Sequence, residues 1–408
     1  MELFDVSRQL AAMQAYAFDW LQLILRWVHL ITGIAWIGAS FYFVWLDNSL
    51  EPPRDASDAD KGIGGELWAV HGGGFYVVRK FRVAPETLPA TLHWFKWEAY
   101  WTWISGFALL VVMYYLHAQV YIIDNSVAAL TPLQAIGISV ALIVVGWLFY
   151  DQLCKRLGFE RETWIAAAMI AFTTLAAWGL WHVFSGRATY IEIGAMLGTI
   201  MVANVAHVII PSQRKLVEAK NQGVAPDPVE GLRGKQRSVH NNYFTLPVLF
   251  IMISNHYPLT YGHPRGWLVL IAILLLAAYV RHFFNLRHKG RKVWAIPITA
   301  AIGALALAIA IAPPKPEAGN AAPTFAQVQA IIGQRCVSCH ADKPTQEGFA
   351  AAPKDVKLDA PERITANEQR IYEQVVATKA MPIGNLTGMT DAERATIAAW
   401  VAGGAGSR

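Results

Sequence analysis

Charge is scarce in this chain. Only 15% of its 408 residues are Asp, Glu, Lys or Arg, while 55% are hydrophobic and 16 are Trp. Soluble domains carry roughly 25% charged residues, so a string of water-solvated domains is excluded. The formal charge of +5 is modest, and no nucleic-acid partner is expected from it. Cysteine is scarcer still: Cys154, Cys336 and Cys339 are all there is. That excludes a disulfide framework. Cys154 stands alone beside Lys155 and Arg156 and reads as an ordinary thiol at a helix end. No two histidines are adjacent, which disfavours a haem-copper oxidase. The first apolar run follows Glu2, Asp5 and Asp19 rather than a basic start, and a small-residue cleavage site is missing. No cleavable leader is therefore expected, and that run reads as a spanning helix.

What is present is apolar residues in long runs. A spanning helix needs about 20 of them. Eight candidates lie at about 18–46, 98–118, 132–151, 164–184, 189–210, 243–257, 265–285 and 293–312. The sixth is the shortest and carries Pro247. The basic residues divide by connection. The first, third, fifth and seventh connections hold clusters such as Arg79, Lys80 and Arg82, Lys155 and Arg156, Arg233, Lys235 and Arg237, and Arg287, Lys289, Arg291 and Lys292. The alternate connections hold only Arg187 and Arg265. Basic loops stay in the cytoplasm. The pattern predicts a multi-pass protein of the bacterial inner membrane with both termini on the periplasmic side, and it requires the sixth span.

The fold class expected is all-α: an eight-helix membrane domain over 1–312, a Pro- and Ala-rich linker over 313–323 and a small class I-like cytochrome c domain over 324–408. The small domain rests on "QRCVSCHADK", residues 334–343, a Cys-x-x-Cys-His signature of covalent haem attachment. Cys336 and Cys339 are spaced for two thioether links, and His340 for the proximal iron position. The sixth ligand is expected to be Met381 in "TKAMPIGN", with Met389 in "LTGMT" as its competitor. His/Met ligation raises the potential and fills both axial positions, so such a haem passes electrons. No second Cys/His pair is near to complete a zinc site. Covalent haem attachment takes place outside the cytoplasm in bacteria, in agreement with the orientation that the charges give. Capping boxes at Thr324/Gln327 and Thr390/Glu393 predict the first and last helices of this domain.

Ionisable groups inside spans are functional candidates. His29 lies well inside the first span with Gly33 one turn on, room for a flat ring. The run from His29 to Trp36–Ile37–Gly38 resembles the first helix of membrane haem-b proteins. His29 is either a haem b or relay ligand or a histidine hydrogen-bonded to a neighbouring helix. His182 and His207 are further relay candidates, His207 because Asn204 precedes it by one turn. The first connection, "GELWAVHGGGFYVVRKFRVAPETLPATLHWFKWEAYWTW", is too aromatic for a plain solvated loop. It offers His71, His93, Lys96 and Glu98 as candidate substrate or catalytic residues. "SVHNNYF" adds His240, Asn241 and Asn242 on the same side, where Asn side chains suit a purine. The two segments are expected to converge, unless the first is a re-entrant or interfacial segment without chemistry.

Composition and spacing stop at a membrane quinol- or substrate-oxidising electron-transfer protein with a cytochrome c tail. A transporter with a fused redox sensor is the other class they allow. "VHGGGFYVVRKF", "LPATLHWFKWEAYWTWISGFALL" and "HNNYFTLPVLFIMISNHY", joined to the C-terminal motif, resemble the membrane-bound, cytochrome-c-linked urate oxidases over essentially the whole chain. The resemblance implies oxidation of urate to 5-hydroxyisourate, with electrons leaving through haem c to a soluble cytochrome c or a terminal oxidase. It fixes no urate ligand. A His or Glu is expected as base, and Lys96 or Arg82 to hold the anion. Geometry objects to that placing. The aromatic segment is expected on the cytoplasmic side and the haem outside, with about 30 Å of hydrocarbon between them. Either urate binds nearer the outer ends, by His117, His182 and His256, or a carrier such as a haem b on His29 stands between.

Overall fold

The computed structural model describes residues 2–312, 323–346, 349 and 351–404. The expected linker falls almost wholly outside them. The chain is mostly helical. Its long helices are α1 (Glu2–Ser49), α2 (Trp97–Leu109, continued by a π-helical turn, Leu110–Tyr115), α3 (Pro132–Leu157) and α4 (Glu162–Trp181). They continue with α5 (Gly186–Asn204, prolonged through a π turn, Val205–Ile209, into Ile210–Asn221), α6 (Pro228–Ser254), α7 (Gly266–His288) and α8 (Ala295–Ala310). Five of them, Tyr16–Ser49, Pro132–Leu157, Glu162–Trp181, Gly186–Asn221 and Gly266–His288, are long and apolar enough to cross a membrane, and Ala295–Ala310 is a shorter apolar helix. Such a set is compatible with a multi-pass membrane protein.

α5 is the axis of the bundle. Tyr190, Ile193, Met196 and Ile200 on it are fully buried, and α2, α3, α4, α6 and α7 all pack on it. Small residues allow the close approach. A Cβ on Gly146 of α3 would lie 2.5 Å from Met196 Cγ, and one on Gly194 of α5 would strike Ile251 Cγ2 of α6. Outward-facing Trp27, Leu30, Val144, Leu175, Ile302 and Leu305 stay exposed. Apolar residues inside and outside, with no hydrophobic drive between helices in lipid, make such small-residue contacts the packing device. α6 is longer than the short sixth run suggested. Asp227 caps it by accepting from the Val229 amide, and Pro247 is accommodated inside it.

The all-α expectation fails in the first connection. Ile63–His71 (β1) and Gly74–Phe81 (β2) form an antiparallel hairpin, with Trp68 opposite Val77 and Val70 opposite Phe75. Gly72 and Gly73 make its turn, both at positive φ (59° and 81°), the geometry of the two-residue turns that match strand twist. Trp68, Val70, Phe75 and Tyr76 are exposed near its tip. At its base Arg79 pairs with Asp58 at 2.9 Å, and Lys80 with Asp47 of α1 at 2.6 Å.

The C-terminal unit has its own core of Phe325, Val328, Ile332, Leu358, Ile364, Val375, Met389, Ile397 and Trp400. Its first helix, α9 (Phe325–Arg335), and last, α10 (Asp391–Ala402), carry both expected capping boxes. The two helices pack together, with the Phe325 and Trp400 ring centroids 6.1 Å apart. The unit sits against the sparsely basic end of the bundle. A Cβ on Gly384 would lie 2.7 Å from the Ile123 carbonyl oxygen, and one on Gly262 would strike the Thr378 carbonyl.

Candidate functional site

One cavity of about 1250 Å³ lies where the C-terminal unit meets the bundle. Cys336, Cys339, His340 and Met381 all line it. A single turn gathers the first three, since the Cys339 and His340 amides both donate to the Cys336 carbonyl, at 3.1 and 2.9 Å. His340 Nδ1 lies 2.8 Å from the Val356 carbonyl oxygen. Because that oxygen can only accept, Nδ1 carries the proton and Nε2 is left with a free lone pair, the state of a metal-ligating imidazole. The two thiols form no disulfide. Burial pushes the Cys336 thiol up to about 12, and burial raises Cys339 as well. Neither is poised as a thiolate nucleophile at neutral pH. Met381 is half-buried. Its amide donates to the Gln374 carbonyl at 3.0 Å, and Arg394 donates to its carbonyl at 2.8 Å. Met389 also lines the cavity but is only 4% exposed and belongs to the core of the unit.

Facing these residues across the cavity is the end of the bundle. Ser185 caps α5, accepting from the Ala188 amide at 3.2 Å and donating to the Tyr121 carbonyl at 3.1 Å. Arg187 follows. Its Nε donates to Asn255 Oδ1 at 3.1 Å and to the Tyr114 hydroxyl at 3.3 Å. Its guanidinium carbon lies 4.9 Å from the Tyr121 ring centroid and 5.8 Å from that of Tyr114. Asn255 Nδ2 donates to the Tyr114 hydroxyl at 3.0 Å. Arg187, Asn255, Tyr121, Trp181, Tyr261 and His256 line the same cavity as the cysteines. From sequence, Arg187 was only a stray charge on a sparse loop. Three segments distant in the chain make it a site, and no local pattern announces that.

Among the described residues no hydrogen bond, ion pair or ring contact joins the candidates of the aromatic connection to those of α6, although Trp94 and Tyr100 pack beside Val202 and Val205, next to Asn204. His71 ends β1 and is exposed. His93 is exposed with its ring 4.5 Å from that of Phe95. Lys96 lies over the Trp97 ring at 5.5 Å, Glu98 is half-buried in the first turn of α2, and Arg82 is exposed at the hairpin base.

His240, Asn241 and Asn242 are instead committed to ties between helices. His240 bridges the Tyr150 hydroxyl (2.7 Å, Nδ1) and Glu162 Oε2 (2.6 Å, Nε2). Asn241 Nδ2 donates to the Met201 carbonyl at 2.9 Å, and its Oδ1 accepts from Asn204 Nδ2 at 2.8 Å. Asn204 also reaches Tyr150, and Arg237 joins the chain while pairing with Asp151 at 3.0 Å. Asn242 Oδ1 accepts from Arg281 Nε at 2.8 Å. These His and Asn side chains are tied to side chains and carbonyls of neighbouring helices at the basic end of the bundle.

The relay candidates also separate. His29 Nδ1 lies 2.9 Å from the Thr102 carbonyl oxygen and 3.2 Å from Ser105 Oγ, so it is tied to α2. A Cβ on Gly106 would lie 2.8 Å from its Cε1, and the space above Gly33 is bounded by Thr102 Cγ2 at 3.9 Å. At His29 Nδ1 the hydrogen-bonded arrangement expected as the alternative is the geometry found, while Gly33 faces a separate apolar cavity of about 210 Å³ shared with Gly38, Phe41 and Leu249. His182 is exposed, with Nδ1 2.8 Å from the Trp178 carbonyl oxygen. His207 is exposed, its ring 6.0 Å from that of Trp147, while Asn204 points into the core; the π turn between them parts the pair.

The family model described as urate oxidase N-terminal matches residues 15–312. No curated protein and no solved structure matches the chain. The matched stretch takes in the hairpin and the helical bundle from residue 15 on, including the wall that carries Arg187 and Asn255, and stops before the C-terminal unit. The chain therefore belongs to the urate oxidase N-terminal family.

Proposed function

We propose that this protein is a membrane-bound urate oxidase that delivers electrons to a haem c on its own C-terminal unit. The bundle is read as eight spans in the bacterial inner membrane, with both termini and the C-terminal unit in the periplasm. The observation that carries the reading is the shared cavity. The family-matched bundle and the Cys-x-x-Cys-His motif line it together. The residues fit the group: two unpaired thiols, an imidazole with Nε2 free and a thioether line one space, with Val356, Leu358 and Ile371 supplying apolar walls. Cys336 and Cys339 would hold the haem covalently, and His340 and Met381 would be its axial ligands. A haem held there supplies a one-electron acceptor. Urate monoanion and one water give 5-hydroxyisourate, one proton and two electrons. The electrons leave singly and pass on to a soluble cytochrome c or a terminal oxidase. No haem b is needed when substrate and acceptor share a cavity.

The test is anaerobic addition of urate to the purified protein while the haem c absorption band is followed. Reduction of the band with loss of urate is expected. Urate consumed while the band stays oxidised would sink the electron path, and untouched urate would sink the enzyme reading.

A further inference from the structure

We infer that urate binds in the bundle's part of this cavity, with Arg187 and Asn255 as its polar ligands and Tyr121, Trp181 and Tyr261 as flat walls. This rests on the proposed function and adds the site, at the end of the spans that the sequence offered, through His256, as the alternative to the aromatic connection.

The first reason is unspent charge. Among the described residues no Asp or Glu oxygen lies within 4 Å of the Arg187 guanidinium, whereas Arg237 at the basic end is paired with Asp151 at 3.0 Å. Arg187 uses Nε on Asn255 and Tyr114, and neither terminal nitrogen joins a hydrogen bond among the described residues. Two parallel donors on a fixed fork are therefore presented by a half-buried cation lining a cavity. That is the arrangement for a planar anion with adjacent acceptors. Urate at neutral pH is such an anion, with carbonyl and deprotonated ring-nitrogen positions along its edge. The Asn255 amide, held by Arg187 and Tyr114, matches the alternating donors and acceptors beside them. The positive end of α5, capped by Ser185, adds to the attraction.

The second reason is distance to the acceptor. The wall with Arg187 and the wall with His340 and Met381 bound one space. The rival is Arg281, which is 4% exposed and leaves one terminal nitrogen without a partner. It lies 15 residues into α7 from Gly266, about 22 Å down the helix at 1.5 Å per residue. An electron released there would have most of a bilayer to cross. The cavity at the C-terminal unit removes that gap, and its open side admits the water that adds to the oxidised purine.

Equilibrium dialysis of radiolabelled urate against the purified full-length protein tests this. The sample is kept anaerobic and fully reduced with dithionite, so that nothing turns over. Arg187→Gln is expected to weaken binding about tenfold to a hundredfold, the worth of a charge-assisted hydrogen bond, with partial rescue in Arg187→Lys. Asn255→Ala should weaken it severalfold. Lys96→Gln and Arg281→Gln should bind as the parent does. Haem content and monodisperse elution check each variant, and Asn255→Ala carries the test if Arg187→Gln does not fold. Parental binding in both Arg187→Gln and Asn255→Ala, or loss confined to Lys96→Gln or Arg281→Gln, overturns the assignment. If the parent itself binds no urate, the proposed function fails rather than the site.

Discussion

Two methionines line the cavity, and their surroundings give them different work. Met381 is half-buried on a loop whose main chain is clamped by Gln374 and Arg394. Met389 is packed in the core, its amide donating to Asn385 Oδ1 at 2.9 Å. On the proposed haem c ligation, Met381→Ala should therefore remove the thioether-to-iron absorption band and lower the reduction potential, with little change in unfolding temperature. Met389→Ala should keep the band and cost the C-terminal unit about 2–5 kcal/mol, the usual penalty for a buried methionine cut to alanine. Spectra, potentiometry and thermal melts on the two variants decide it; the opposite pattern would exchange their roles. Legibility at this scale follows locality. Cys336, Cys339 and His340 lie within five residues, so the motif is visible in the string. Arg187, Asn255 and Tyr114 meet from three helices, and nothing in the string ties them.

At the scale of elements, the bundle is held by places where only hydrogen fits. Gly194→Ala would drive a methyl into Ile251, and Gly137, on α3, has nothing within 4 Å of an added Cβ. We expect Gly194→Ala to cost about 1–3 kcal/mol through overpacking and Gly137→Ala to be neutral. Thermal aggregation in detergent reads both. The turn into α6 offers a pH test outside the spans. Glu230 accepts from Lys215 at 2.9 Å, Ser212 at 2.8 Å and Arg233 at 2.9 Å. The bond from Lys215 leads the causes that hold its carboxyl below the ordinary range, against some desolvation. A depressed folded value stabilises above the unfolded value, about 4.3, and the benefit fades as pH falls through the folded one. Hydrogen exchange over residues 222–229 should quicken in acid in the parent, after allowance for intrinsic rates, and Glu230→Gln should be fast already at neutral pH. Five of the expected spans were legible because long apolar runs have few other uses. The hairpin was missed although its signal was present: two β-rich stretches flank Gly72–Gly73, and the search for spans read them as aromatic loop. The helix α6 starts well before the sixth apolar run because its first turns are polar and carry no hydropathy signal.

For the whole molecule, the proposed electron delivery depends on the C-terminal unit seated on the end of the bundle that carries Arg187. The contact is close: Gly384 approaches the carbonyls of Ile123 and Val120, where an added Cβ would lie 2.7 and 3.0 Å away. Gly384→Val should therefore wedge the two apart. Gly384 also has a positive φ of 55°, so any side chain there costs about 1–2 kcal/mol in backbone strain alone. Gly388→Val controls for that, since Gly388 has φ 68° and only the end of the Arg335 side chain within 4 Å. Both variants should load haem, because Cys336, Cys339 and His340 lie elsewhere in the unit. Electron transfer decays steeply with separation, so a wedge of a few ångströms should slow urate-driven reduction of the haem band severalfold in Gly384→Val. Dithionite, which reaches the haem from solution, should reduce it as before. In Gly388→Val both rates should stay near those of the parent. Rapid-mixing spectroscopy under nitrogen separates the two variants. An unslowed Gly384→Val would mean that the seating seen here is not the one through which electrons pass.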